Sequence, residues 1–286
     1  MDQNAVWQQK VIDTISSIMN SGPEITHTIW QRNNLLLQPD NHVYKDYSSQ
    51  FHKYLLQSLK FVEMYHRAEG VSPRYTKTYE WIYSNSDTAT NSNFVRFLEG
   101  DQNLFWITGK PASGKSTLMK MISDDARTLQ HLKVWASGEC LLLCRFYFWC
   151  SGTAMQMSQE GLLRTLLHET LEFSPYLAPM AFPQRMENFV LFGNGIGFDA
   201  PWSIGELMEA YKQLVSELAK STRMVLLIDG LDEFNGDHPE QAKLIEFLHT
   251  LLSLSSRVKA CVSSRPWNIF ADAFHTRPSL RVEDLT

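Results

Sequence analysis

Cysteine is scarce in this 286-residue chain, with four at positions 140, 144, 150 and 261. They are too few for a disulfide scaffold and form no C-x-x-C pair of a zinc ribbon, so they read as reduced core thiols in a cytoplasmic protein. Long hydrophobic runs are missing as well. Stretches such as Met224 to Ile228 and Cys140 to Cys144 are short against the ~20 residues of a bilayer helix, and they suit buried strands. The amino terminus begins Met1-Asp2-Gln3-Asn4 with no apolar stretch behind it, which argues against a secretory signal. Basic excess is absent too. With 26 Lys+Arg against 31 Asp+Glu the net charge is −5, which gives no footprint for nucleic acid or an anionic membrane. No internal repeat is visible. What remains is an ordinary globular composition, 44% hydrophobic and 20% charged, sized for one large domain with or without a smaller appendage.

The first part of the chain reads as helical. Trp7, Val11, Ile15 and Ile18 recur at helical spacing until Gly22-Pro23, and a longer helix carries Tyr47, Phe51, Leu55, Leu59, Val62 and Tyr65 on one face as far as Gly70. Residues 84–93 are rich in Ser, Thr, Asn and Asp and read as a linker, which sets the expected boundary between a region 1–93 and a domain 94–286. Beyond it, apolar strand-like runs at 104–108, 141–149, 224–228 and 258–262 alternate with helices. These are expected at 116–129, at 158–171, and from Ser203, where Ser203 and Glu206 have capping-box spacing. Ile204, Leu207, Tyr211, Leu214 and Leu218 form the inward face of that last helix. Such alternation predicts an α/β sandwich around a mainly parallel sheet. Residues 173–201, with several prolines and the glycine-rich 193–197, read as an extended surface excursion.

Three motifs carry chemistry. Gly109-Lys110-Pro111-Ala112-Ser113-Gly114-Lys115-Ser116-Thr117 follows an apolar strand, opens a helix and matches G-x-x-x-x-G-K-[ST], the Walker A pattern of a P-loop. Glycines let successive backbone N–H groups face phosphate oxygens, the helix start adds its positive end, Lys115 neutralises β/γ charge, and the Ser116 hydroxyl suits Mg²⁺. In Met224-Val-Leu-Leu-Ile-Asp229-Gly-Leu-Asp232-Glu233, a buried strand delivers Asp229 to the carboxyl edge of the sheet as the candidate metal-side carboxylate. Asp232 and Glu233 are candidates for orienting an attacking water, or solvated turn residues; the sequence does not separate them. In Ala260-Cys-Val-Ser-Ser264-Arg265-Pro266 another strand ends in an arginine, which either reads a γ-phosphate or pairs with Asp232 or Glu233.

In this order the motifs resemble the NACHT branch of the STAND P-loop NTPases, most closely fungal NLR-like members related to the nephrocystin-3-like amino-terminal module. The resemblance also draws on Thr78-Tyr-Glu-Trp-Ile, Phe146-Tyr-Phe-Trp, Gly161-Leu-Leu-Arg and Leu280-Arg-Val-Glu-Asp-Leu-Thr. It implies an ATP-binding, or GTP-binding, regulatory switch of the kind used in fungal non-self recognition and programmed cell death, with slow hydrolysis at most. It further implies a strand inserted between the Walker motifs, ATP/ADP and Mg²⁺ as ligands, and homo-oligomerisation in the ATP state with activation of an effector protein. On that basis residues 109–117 bind phosphates, Ser116 and Asp229 serve Mg²⁺, Asp232 and Glu233 serve hydrolysis, and Arg265 senses the nucleotide. Two departures stand out. Ala112 occupies a position where relatives frequently carry glycine, which costs on the order of 1 kcal/mol if the backbone there needs positive φ. The helical and winged-helix segments that normally close over the nucleotide do not follow within the sequence, which predicts nucleotide binding without full switching.

Two other classes fit the phosphate loop. A P-loop small-molecule kinase needs a basic lid, for which residues 173–201 have the length but only Arg185 as a positive charge. A non-hydrolysing interaction fragment would use the helices before Asn93 as a docking face.

Overall fold

Four largely apolar segments and one short edge strand form one sheet: β1 (Leu104–Thr108), β2 (Cys140–Tyr147), β3 (Thr222–Asp229), β4 (Val258–Ser264) and the short β5 (Ser279–Arg281), ordered β2-β3-β4-β1-β5 with every neighbouring pair parallel. The computed structural model describes residues 42–72, 79–83, 91–192 and 200–285. The helix expected around Trp7 to Ile18, the turn at Gly22-Pro23 and the glycine-rich 193–197 lie outside the described residues. The predicted α/β sandwich with a parallel sheet is observed. β4 stands between β1 and β3, the inserted strand that the resemblance implies.

The helices are α1 (His42–Leu59), α2 (His66–Gly70), α3 (Asn91–Glu99), α4 (Lys115–Asp124), α5 (Ala126–Ala136), α6 (Gln159–Phe173), α7 (Ala178–Ala181), α8 (Pro183–Phe192), α9 (Ile204–Leu218), α10 (His238–Leu254) and α11 (Asn268–Phe274). Strand alternation sorts the core into two layers. Leu104, Trp106, Met224, Leu226, Ile228, Val258, Ala260 and Val262 face one cluster, with α1, α6, α9, α10 and α11. Phe105, Ile107, Val225, Leu227, Cys261 and Leu280 face the other, with α3, α4 and α5. The second layer also takes in Lys259, fully buried, whose ammonium donates to the carbonyls of Phe97, Leu98 and Gly100 at the end of α3. Those carbonyls lack helical donors, so the lysine satisfies them. Burial lowers its pKa to about 8.

Several local expectations are corrected. The helix expected to reach Gly70 stops at Leu59, because Arg164 of α6 donates to the carbonyls of Ser58, Leu59 and Lys60, all at 2.9 Å. Phe51, Leu55 and Leu59 are fully buried as expected, but Val62 beyond the break is 85% exposed. The apolar face of α1 formed by Phe51, Leu55 and Leu59 is therefore spent inside the main core. The segment expected as one helix over 116–129 is broken at Asp125, whose extended backbone ends α4 and whose side chain caps α5 by accepting from Arg127 N. Residues 91–93, read as linker, begin α3.

The expected capping box at α9 is half formed. Ser203 accepts from Glu206 N, but the Glu206 carboxylate is drawn to Arg185, at 2.6 and 2.9 Å. Ile204, expected to face inward, is exposed at 36%. Residues 173–192 are not an extended excursion. They fold into short helices whose Leu177, Ala178, Phe182, Met186 and Phe189 join the main core against α1. Cys144 and Cys261 are buried, whereas Cys140, starting edge strand β2, and Cys150, in the turn after it, are exposed; all four are free.

Candidate functional site

The parallel register brings the carboxyl ends of β1, β3 and β4 to one edge: Thr108 lies opposite Ser264, and Ile228 opposite Val262. Ligands of open α/β sheets bind at this edge. A cavity of about 320 Å³ opens there, lined by Pro111, Ala112, Ser113, Gly114, Lys115, Ser116 and Thr117 of the loop and the start of α4, by Asp229, Gly230, Asp232 and Glu233 after β3, by Ser263 and Arg265 of β4 and its exit, and by Arg67 of α2. Gly109 and Lys110 shape the loop without lining the cavity. A Cβ on Gly109 would meet Ser113 Oγ at 2.6 Å and Glu283 Oε2 at 2.7 Å, and Lys110 N donates to that same carboxylate.

The loop turns through two left-handed residues, Ala112 at φ 59° and Gly114 at φ 89°. Tyr79 sits against Gly114 and donates its hydroxyl to the Gly114 carbonyl at 3.4 Å. For Gly114 the conformation is free of penalty, but for Ala112 it carries the Cβ strain anticipated from the sequence. Ala112→Gly is therefore expected to stabilise the protein by about 0.5–1 kcal/mol, the relief exceeding the extra chain entropy of glycine in the unfolded state. A Tm about 1–3 °C above wild type would register it; a lower Tm would mean the alanine is not strained.

Lys115 folds back on its own loop, donating to the carbonyls of Gly109 (2.7 Å) and Lys110 (2.9 Å). Burial pulls its pKa down against the opposing pull of Asp232 and Asp229. Asp229 is 1% exposed. Its Oδ1 accepts from Ser263 Oγ, which in turn accepts from Gly230 N at 2.9 Å, while Oδ2 has no hydrogen-bond partner. Burial raises the Asp229 pKa, with the neighbouring Ser116 and Ser263 hydroxyls working the other way. An orphaned, buried carboxylate oxygen beside a hydroxyl fits a hard cation. Among the described residues no group of three or more His, Cys, Asp or Glu is assembled for a metal. Any ion here would have Asp229 and Ser116 as its protein ligands and would take its remaining oxygens from water and a bound ligand, which is a magnesium-like rather than a zinc-like set.

The two acids that the sequence left unresolved are separated by their partners. Asp232 is engaged through both oxygens by Arg265, whose N donates to Oδ1 and whose Nε lies against Oδ2, each at 2.9 Å. Burial raises the Asp232 pKa against that pairing. Glu233 accepts from Cys150 N through Oε2 at 2.9 Å. Arg265 thus both lines the cavity and makes the ion pair that was its alternative reading.

Four contributors carry no assigned role in the sequence reading. Ser263 shows a signal in retrospect, since strand alternation puts it on the Asp229 side while Ser264 turns to Trp106 Nε1. Tyr79 and Glu283 fall within stretches that carry the family resemblance but drew no role from it, and Arg67 has no comparable signal. Arg185, the lone positive charge of the supposed lid, is buried against Glu206 and Trp202 and does not line the cavity.

A glycine-rich strand-to-helix loop at the carboxyl edge of a parallel sheet, with β4 inserted between β1 and β3, defines an α/β protein of the P-loop-like kind. The family model described as "Nephrocystin 3, N-terminal" matches residues 77–265, and the chain belongs to that family. It is also 29% identical over 195 residues to the Vegetative incompatibility protein HET-E-1 of Podospora anserina, an alignment covering 66% of this chain and 12% of that protein. The chain thus spans about an eighth of the length of that relative. Among the described residues no helix is long and apolar enough to cross a membrane.

Proposed function

We propose that this chain is the nucleotide-binding module of a STAND-type regulatory protein, taking ATP with Mg²⁺ and hydrolysing it slowly at most. The observation that carries the reading is the convergence, in one cavity, of the phosphate-loop backbone, Lys115, the orphaned Asp229 oxygen and Arg265. The loop N–H groups hold the phosphates, and Lys115 leaves the Gly109 and Lys110 carbonyls to neutralise them. Ser116 and Asp229 would hold Mg²⁺, which would supply charge neutralisation for the bound phosphates. Glu233, or Asp232 once Arg265 has left it, orients the water. Arg265 exchanges that carboxylate for a terminal phosphate and so reports which nucleotide is present. The name of the fungal relative and the family membership support a place in non-self recognition, with homo-oligomerisation in the ATP state and an effector protein as the partners of the switch.

Titrating the purified chain with fluorescent MgATP tests the reading. Lys115→Ala, which removes charge-assisted hydrogen bonds of about 1.5–3 kcal/mol, is expected to weaken binding at least tenfold. Equal affinity in the two proteins would remove the nucleotide from this cavity.

A further inference from the structure

We propose that Arg67, on the short helix α2 ahead of the sheet, is a second phosphate-reading arginine that contacts the terminal phosphate of a nucleoside triphosphate and lets the amino-terminal segment register its presence. The inference rests on the nucleotide reading above and adds to it a residue and a route.

Position comes first. Three separate tethers fix the segment carrying Arg67 over the cavity. Ala68 O accepts from Lys120 Nζ of α4 at 2.7 Å, which ties α2 to the helix that the phosphate loop opens. Glu63 O accepts from Gln156 Nε2 at 3.2 Å. The Arg67 guanidinium lies 5.4 Å from the centre of the Trp149 ring, just beyond β2. A guanidinium laid against an aromatic face is held in orientation while its edge stays available for a planar, two-pronged anion contact.

Unspent hydrogen-bonding capacity is the second observation. Arg265 has its carboxylate, Asp232, whereas Arg67 makes no ion pair among the described residues, and its Nε is buried without a hydrogen-bond partner. A buried guanidinium N–H left unpaired requires an explanation, and here the same side chain lines the cavity with Asp229, Glu233 and Lys115. A bound anion supplies the missing acceptor.

Chemistry then selects the phosphate. The loop amides serve the inner phosphates, which both nucleotides carry, and Lys115 reaches from them toward the terminal one. Arg67 and Arg265 are the remaining cations of the lining, beside Asp229 and Glu233, and are left for a third phosphate. Contacts there favour the triphosphate over the diphosphate, and a ligand shifts a switch only through such a difference. Because α2 directly follows α1 in sequence, the contact pulls on the amino-terminal segment, whereas Arg265 pulls on the exit of β4.

The test compares dissociation constants for MgATPγS and MgADP in wild type, Arg67→Ala, Arg67→Lys and Lys115→Ala, with folding checked by thermal unfolding. Arg67→Ala is expected to weaken MgATPγS about tenfold or more and MgADP less than twofold; Arg67→Lys, which keeps charge but loses the fork, falls between. The ratio of the two constants within one protein is the deciding number, since a merely structural arginine would change both together. An unchanged ratio in Arg67→Ala overturns the proposal while leaving the nucleotide site standing. Wild type that binds neither nucleotide, indistinguishable from Lys115→Ala, overturns the nucleotide reading and this one with it.

Discussion

Replacing Gly161 with alanine is expected to destabilise the protein by about 3 kcal/mol, although the same exchange in an open helix would add up to about 1 kcal/mol. The sign reverses because of a single close approach. A Cβ at Gly161, in the first turn of α6, would stand 1.9 Å from the Met155 carbonyl oxygen and 2.8 Å from its carbon. Both are backbone atoms of the 3-10 turn Met155–Met157, which cannot swing away as a side chain would. That turn is held from several sides. Met155 O accepts from Ser158 N and Ser158 Oγ, and Ser158 Oγ caps α6 at Gly161 N. Gln156 O accepts from Trp149 N, and Met157 O from Asn235 N.

The consequence therefore reaches the cavity. Trp149 supports Arg67, and Asn235 lies two residues beyond Glu233, so pushing the turn outward disturbs both sides of the site at once. Gly205, in the first turn of α9, is the internal control, because a Cβ there meets nothing within 4 Å. Gly205→Ala is expected to be neutral or stabilising by up to about 1 kcal/mol. Urea unfolding of both variants, with m compared as well as the midpoint, separates the cases. A Gly161→Ala midpoint at or above that of wild type would mean that the close approach is relieved by a shift too small to matter.

Gly161 also illustrates which features a linear reading reaches. Its motif was visible, but its reason was not, since the atom that excludes a Cβ belongs to a turn six residues back that shows no periodicity. The same division runs through the molecule. Asp229 and Arg265 are legible because an apolar strand ending in a polar residue is a one-dimensional pattern, and parallel pairing then delivers those ends to one edge. Arg67 is not legible, because it rides on five residues of helix whose place is set by Lys120 and Trp149, both distant in sequence. The end of α1 failed for the same reason. Its apolar spacing continues toward Tyr65, but Arg164, 105 residues away from Leu59, takes the carbonyls where the helix stops. Residues 173–192 misled through composition. Prolines that suggest an extended loop here sit in the first turns of short helices, where a missing N–H costs nothing.

Asp229→Asn is expected to make the ligand-free protein more stable by about 1–2 kcal/mol while weakening Mg²⁺-dependent ATP binding about 10–100-fold. Asparagine fills the same volume and keeps Oδ1 as the acceptor for Ser263. It replaces the orphaned, buried Oδ2 with a neutral amide that can donate to the Ser116 hydroxyl. The pH dependence follows from the direction of the shift. Burial raises the Asp229 pKa in the folded state, so the folded protein holds this proton more tightly than the unfolded chain does. Stability linked to the residue is complete below the ordinary carboxylate pKa of about 4 and is lost as pH rises through the raised folded value. The gain from Asp229→Asn is accordingly largest at neutral pH and shrinks on acidification. Thermal unfolding between pH 4 and 8 measures the first half, and MgATP titration with and without excess chelator the second. A variant less stable than wild type at pH 7 would make the carboxylate a structural necessity. Unchanged metal-dependent affinity would move the cation away from Asp229. Higher stability together with lost magnesium dependence would identify a charge kept at a cost in stability for the ligand it awaits.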